Sequence, residues 1–121
     1  MNIEDFRNFC LSLPATHEEM PFDAQTLVFK VAGKMFALTD IDAFDSITLK
    51  CEPEKAQELR AQYASVEPGY HMHKKYWNTL RLDGSLTNEE LQHWILHSYE
   101  QVVAGLPKKI RQSLSESDAQ F

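Results

Sequence analysis

A chain of 121 residues, 43% hydrophobic and 25% charged, has the makings of one compact domain with one core, and too little length for a second. The formal net charge of −6 argues against a protein that coats nucleic acid nonspecifically. No apolar run approaches the roughly 20 residues of a membrane helix, and the acidic, amphipathic start MNIEDFRNF lacks the features of a signal peptide, so the cytoplasm is the expected location.

The first predicted element is a helix over about Asn2–Leu13. Ile3, Phe6, Phe9, Cys10 and Leu13 recur at three- and four-residue steps and form one apolar stripe. Asn2 is its expected N-cap, Glu4 and Asp5 suit the positive end of the dipole, and Pro14 stops it. Two strands follow, Thr26–Val31 and Lys34–Thr39, joined by a tight turn at Ala32-Gly33. A simple hairpin register sets Phe29 opposite Phe36 and Leu27 opposite Leu38 on the core side. It sets Lys30 opposite Met35 and Val28 opposite Ala37 on the other. A third strand over Ser46–Lys50 points Ile47 and Leu49 inward and Thr48 and Lys50 outward.

Pro53 opens a second helix, to about Ala64, with Ala56, Leu59 and Tyr63 inside. Pro68-Gly69 marks a turn. Tyr76–Leu82 reads as a strand, with Leu80 and Leu82 inward and Trp77, Thr79 and Arg81 outward. After the turn at Asp83-Gly84, Thr87 and Glu90 have capping-box spacing for a helix to about Ala104, buried along Leu91, Trp94, Ile95, Ser98, Tyr99 and Val102. Gly105 ends that helix, Pro107 starts a shorter one through about Leu114, and residues 115–121 are expected to fray. The order predicts an α+β fold, a single domain over 1–114 with an antiparallel sheet covered by helices on one face.

The face turned away from the helices then carries Thr26, Val28, Lys30, Met35, Ala37, Thr48, Lys50, Trp77, Thr79 and Arg81. Three of these are basic and none is acidic, in a chain with 18 acids and 12 bases. Charge is also uneven along the chain. Residues 1–23 hold one base against five acids, and residues 70–111 hold six bases against four acids. Cations around a tryptophan can stack bases and attract phosphates. The alternative is an ordinary solvated sheet whose lysine and arginine stems cover Trp77.

Other candidate chemistry is thin. His71 and His73 would share a strand face, and His93 and His97 form an i,i+4 pair, but neither pair has a third ligand at zinc spacing. Asp40, Asp42 and Asp45 lie in the loop TDIDAFD, which lacks the glycine and closing glutamate of a calcium-binding EF-hand loop. Cys10 and Cys51 read as thiols, with Cys10 a core residue. There is no glycine-rich phosphate loop and no nucleophile elbow, so the expectation is a binding domain with no cofactor and no catalytic residues.

Several stretches together resemble the MmcQ/YjbR family of small bacterial proteins. They are Leu13-Pro14 after the first helix, the hairpin Thr26–Val31 with Gly33–Ala37, Leu49-Lys50 with Pro53-Glu54, and Pro68-Gly69-Tyr70-His71. Lys75, Trp77-Asn78, Leu82-Asp83, Ser98-Tyr99 and Leu106-Pro107-Lys108 complete the pattern. The resemblance implies a CyaY-like (frataxin-like) α/β sandwich and a DNA-binding role through a proposed double wing, with a monomer as the expected state. The face argument maps Lys34, Lys50, His73, Lys74, Lys75, Trp77 and Arg81 onto such a surface. The alternatives are a protein- or small-ligand-binding module anchored on Trp77, or a metal-handling domain by analogy with frataxin, drawing on Glu4, Asp5, Glu18, Glu19 and Asp23.

Overall fold

The computed structural model describes residues 1–69 and 72–119. The expected positions of Tyr70 and His71 lie outside the described residues. The described elements run in the order α1 (Ile3–Ser12), β1 (Thr16–Glu19), β2 (Thr26–Val31), β3 (Lys34–Asp40), β4 (Ser46–Lys50), α2 (Pro53–Gln62), β5 (Val66–Pro68), β6 (Trp77–Arg81), α3 (Asn88–Ala104) and α4 (Lys108–Ala119). The strands form one antiparallel sheet in the order β1-β2-β3-β4-β6-β5. This is the α+β architecture expected, with two short edge strands added, and with α4 extending five residues past Leu114.

The first three helices start where the sequence supplies a cap. Asn2 accepts the Asp5 N–H at 2.8 Å, and Asp5 returns the bond to the Asn2 N–H. Thr87 and Glu90 do the same for α3 at 3.1 and 3.0 Å. Glu52 caps α2, with Pro53 in its first turn. The core lies between the helices and one face of the sheet. Phe6 and Cys10 of α1, Ala56 and Leu59 of α2, and Leu91, Ile95, Tyr99 and Val102 of α3 meet Leu27, Phe29, Phe36, Ile47, Leu49 and Leu80. Phe6 and Phe29 meet edge to face at 5.3 Å, as do Phe36 and Tyr99 at 5.5 Å. Each fully buried aromatic of this kind contributes about 1.5–3 kcal/mol.

The β2–β3 register departs from the simple hairpin. Ala32 (φ 48°) and Gly33 (φ 83°) are both left-handed, as a two-residue type I′ turn requires. That fixes Val31 opposite Lys34 and Lys30 opposite Met35, as expected. A bulge then intervenes, so that Phe29 faces Ala37, Val28 faces Leu38 and Leu27 faces Thr39. The register that results puts Phe36 and Ala37 both in the core and turns Leu38 to the opposite face. The Ser98 hydroxyl of α3 donates to the Phe36 carbonyl just beyond the regular β3–β4 pairing.

Candidate binding cleft on the open sheet face

Alternation from the bulge onward lays one row of residues across the outer face: Glu19, Val28, Leu38, Thr48, Thr79 and Glu67. Both ends of this row are carboxylates, contributed by the two short edge strands. Glu19 forms an ion pair with Lys30. Glu67 forms one with Arg81, Nε to Oε1 at 3.2 Å. Two of the three cations expected on this face are therefore neutralised by neighbouring strands. The third, Lys50, has no carboxylate within ion-pair distance among the described residues. In the centre, the hydroxyls of Thr48 and Thr79 lie 3.0 Å apart.

The face is not bare. Val28, Leu38 and Trp77 form a small second apolar cluster, with Met35 and Met72 packed against it. Val28 is wholly buried and Trp77 is only 8% exposed. Met72, in the segment between β5 and β6, packs over this part of the sheet. Arg60 of α2 holds that segment. Its Nε donates to the Asn78 side-chain oxygen at 2.6 Å, and one terminal nitrogen donates to the Trp77 carbonyl at 3.2 Å and to the Lys74 carbonyl. Asn78, buried, donates in turn to the Ala56 carbonyl at 3.3 Å. Gly69 is required at the foot of the segment: a Cβ there would sit 2.7 Å from the Trp77 Cβ.

Between this cluster and the β1–β2 loop lies a cleft of about 570 Å³. Leu38 and Thr48 line it from the sheet, Met72 from the β5–β6 segment, and Phe22 and Asp23 from the β1–β2 loop. Phe22 is 64% exposed. Asp40, at the end of β3, lines it as well. Asp23 accepts the N–H groups of Gln25 and Thr26 at 2.8 and 2.6 Å and the Thr26 hydroxyl at 3.2 Å. These bonds hold its carboxyl below the usual carboxylate range. Asp40 uses Oδ1 to accept the N–H groups of Asp42 and Ala43, which builds the tight loop after β3.

The seven residues expected at a nucleic-acid surface are thus spread out. Lys50 and Trp77 are directly paired across β4 and β6. His73, Lys74 and Lys75 are exposed in the segment that leads into β6. Within it, the His73 and Tyr76 rings lie 4.9 Å apart and the Lys75 ammonium sits 5.5 Å over the Tyr76 ring. Arg81, at the far end of β6, is tied to Glu67, and Lys34 is at the β2–β3 turn. Asp23 stood out only among the acids of the metal-handling alternative, and Phe22, Met72 and Arg60 carried no sequence signal beyond their types. Nor did the edge strand THEE, whose His17 and Glu19 alternate with Thr16 and Glu18 over only four residues.

Other polar contacts join elements of the fold. Glu18 of β1 pairs with Arg7 of α1 (2.7 Å to Nε), and that bond lowers its pKa. His97 accepts the Glu52 N–H at 3.2 Å. His71, the proposed partner of His73 in metal binding, is outside the described residues. Among the described residues no three His, Cys, Asp or Glu side chains gather as a metal site.

These features define a small α+β domain with one helix-covered sheet face and a cleft on the other. The chain belongs to the YjbR family, whose model matches residues 11–101. It is 31% identical over 115 residues to the uncharacterised protein YjbR of Escherichia coli K12, covering 94% of this chain and 98% of that one. It is 34% identical over 107 residues to the uncharacterised protein YbdF of Escherichia coli O157:H7, covering 88% of each. Among solved structures, a Deinococcus radiodurans protein, DR2400, superposes with a TM-score of 0.88 at 40% identity, over 94% of this chain and 88% of that one. A Pseudomonas syringae protein superposes at 0.71 with 28% identity, over 84% and 98%. No described helix is long and apolar enough to cross a membrane.

Proposed function

We propose that this domain is a binding module rather than an enzyme, and that its ligand is a small molecule held in the cleft on the outer sheet face. The observation that carries this reading is the cleft itself. Its volume of about 570 Å³ lies in the range of small-molecule sites. It joins an apolar bed to a few polar groups, and an exposed aromatic stands at its edge. The shifted carboxyls have structural causes, an ion pair at Glu18 and Glu19, turns at Asp23 and Asp83, and a helix cap at Glu90. None of these is the paired, environment-split arrangement that acid–base chemistry uses.

Nucleic-acid binding is the second reading, favoured by one observation. His73, Lys74 and Lys75 are all exposed, and Lys50 pairs with Trp77 beside them. Against it stand the pairing of Lys30 and Arg81 with acids and the burial of the Trp77 ring, which leaves little surface for a base to stack on. A backbone-amide NMR titration separates the two. Small aromatic amines and alcohols are expected to shift Thr26, Leu38, Asp40 and Thr48. Short DNA that shifts Lys50 and Lys74–Trp77 at low salt, and loses those shifts as salt rises, would replace this reading with the second.

A further inference from the structure

We infer that the outer-face cleft selects a small organic cation with an apolar body, such as an arylalkyl amine. This rests on the cleft being a ligand site and adds the class of ligand. The lining divides by chemistry. Leu38 and Met72 offer an apolar bed, and Phe22 presents a ring that is still 64% exposed and can face an ammonium at little desolvation cost.

The charges point one way. Asp23 and Asp40 both line the cleft, and no lysine, arginine or histidine among the described residues does. Asp23 stays ionised because three hydrogen bonds favour its charged form. Asp40 spends Oδ1 on its own turn, and Oδ2 takes no part in that turn. Of the cations on this face, Arg81, opposite Ser46, is held by Glu67 and Lys30 by Glu19, while Lys50, two residues from Thr48, is not part of the lining. An ammonium entering the cleft therefore meets two carboxylates with no internal cation to compete, and a phosphate or carboxylate meets repulsion.

The occupant is a free small molecule rather than a peptide strand. Strand addition needs a long unpaired edge. Here the edges are the four-residue β1 and the three-residue β5, which ends in Pro68. The cleft is also bounded on two sides, by the Phe22 loop and by Met72.

Three probes of one shape test this: benzylamine, benzyl alcohol and benzoate, titrated into the full chain and followed by the amides of Thr26, Leu38 and Thr48. Benzylamine is expected to bind about tenfold tighter than benzyl alcohol, with benzoate weakest. Asp40→Asn keeps an Oδ1 acceptor for the turn and removes the charge. It should narrow the gap by weakening benzylamine alone, as should raising the salt in the wild type. Equal binding of benzyl alcohol and benzylamine would overturn the cation preference and leave the small-molecule reading standing. An unchanged preference in both Asp40→Asn and high salt would overturn the role of the carboxylates. No shift with any probe would overturn both.

Discussion

The Ser98 hydroxyl accepts the Lys50 backbone N–H at 2.8 Å and donates to the Phe36 carbonyl, so a side chain of α3 replaces one rung of the β3–β4 ladder. The regular pairing of β3 with β4 covers Ala37 with Leu49 through Thr39 with Ile47, and Phe36 lies just beyond it. The hydroxyl satisfies two backbone groups that would otherwise be left apart in a dry place. It also ties α3 to the sheet where Phe36 and Lys50 leave the regular pairing.

Replacing Ser98 by Ala should therefore cost about 1–3 kcal/mol, the price of unmade buried hydrogen bonds. Urea denaturation gives the number. A change within a few tenths of a kcal/mol would mean that the two strands close on each other without help.

The cover of the outer face depends on Gly69 and Arg60. Gly69→Ala forces a Cβ against Trp77 and should destabilise by about 1–3 kcal/mol. Arg60→Ala frees the Lys74 carbonyl, leaves the Trp77 carbonyl with the Gly69 N–H alone, and leaves the Asn78 side-chain oxygen without the Arg60 donor. Hydrogen exchange should then speed up at Met72 and Tyr76, whose N–H groups bond within the segment. Exchange in α3 should stay slow. Uniform acceleration through α3 would show that Arg60 supports the whole fold rather than this segment.

Ala32 holds φ near 48° in a turn whose ideal residue is Asn or Gly. Ala32→Asn should raise stability by about 0.5–1 kcal/mol. A thermal melt that is unchanged or lower would place the strain elsewhere.

His97 should make stability fall with acid. Its neutral ring accepts the Glu52 N–H, and burial, Lys55 and His93 lower its pKa below 6.5, against weaker opposing effects of Glu100 and Glu52. The unfolded chain then binds the proton more readily. The contribution of neutral His97 is complete above pH 6.5 and is lost as pH falls from there through the depressed folded value. The difference in unfolding free energy between wild type and His97→Gln, measured across this range, should shrink toward acid. A constant difference would contradict the assignment.

Neither cysteine should react readily while the domain is folded. Cys10 and Cys51 are buried, and burial pushes both thiols up, Cys51 to about 11. Alkylation at pH 8 should follow global unfolding. Fast labelling of either in native buffer would mean that the core opens locally.

Much of the fold was legible because long periodic segments report their own environment. The stripes of α1 and α3, the capping box at Thr87 and Glu90, and the turn at Ala32-Gly33 all follow from local chemistry. The bulge was not legible, since no turn residue or break in alternation marks it, and the Ser98 contact beside it comes from α3, 62 residues from Phe36. That single shift exchanged Ala37 for Leu38 on the outer face. The edge strands were missed because four and three residues carry too little alternation to read. With them went Glu19 and Glu67, and so a face that looked basic in sequence proved to be balanced in space. The cleft depends on loops meeting over the sheet, and Phe22 and Met72, 50 positions apart, have no pattern that joins them.

The most direct test of the account is a set of intermolecular NOEs between a bound aromatic amine and the side-chain methyls of a methyl-labelled sample. The cleft reading predicts NOEs from the ring to Leu38, Thr48 and Met72. NOEs confined to the β2–β3 turn, to the helix-covered side of the sheet, or to no methyl at all would contradict it.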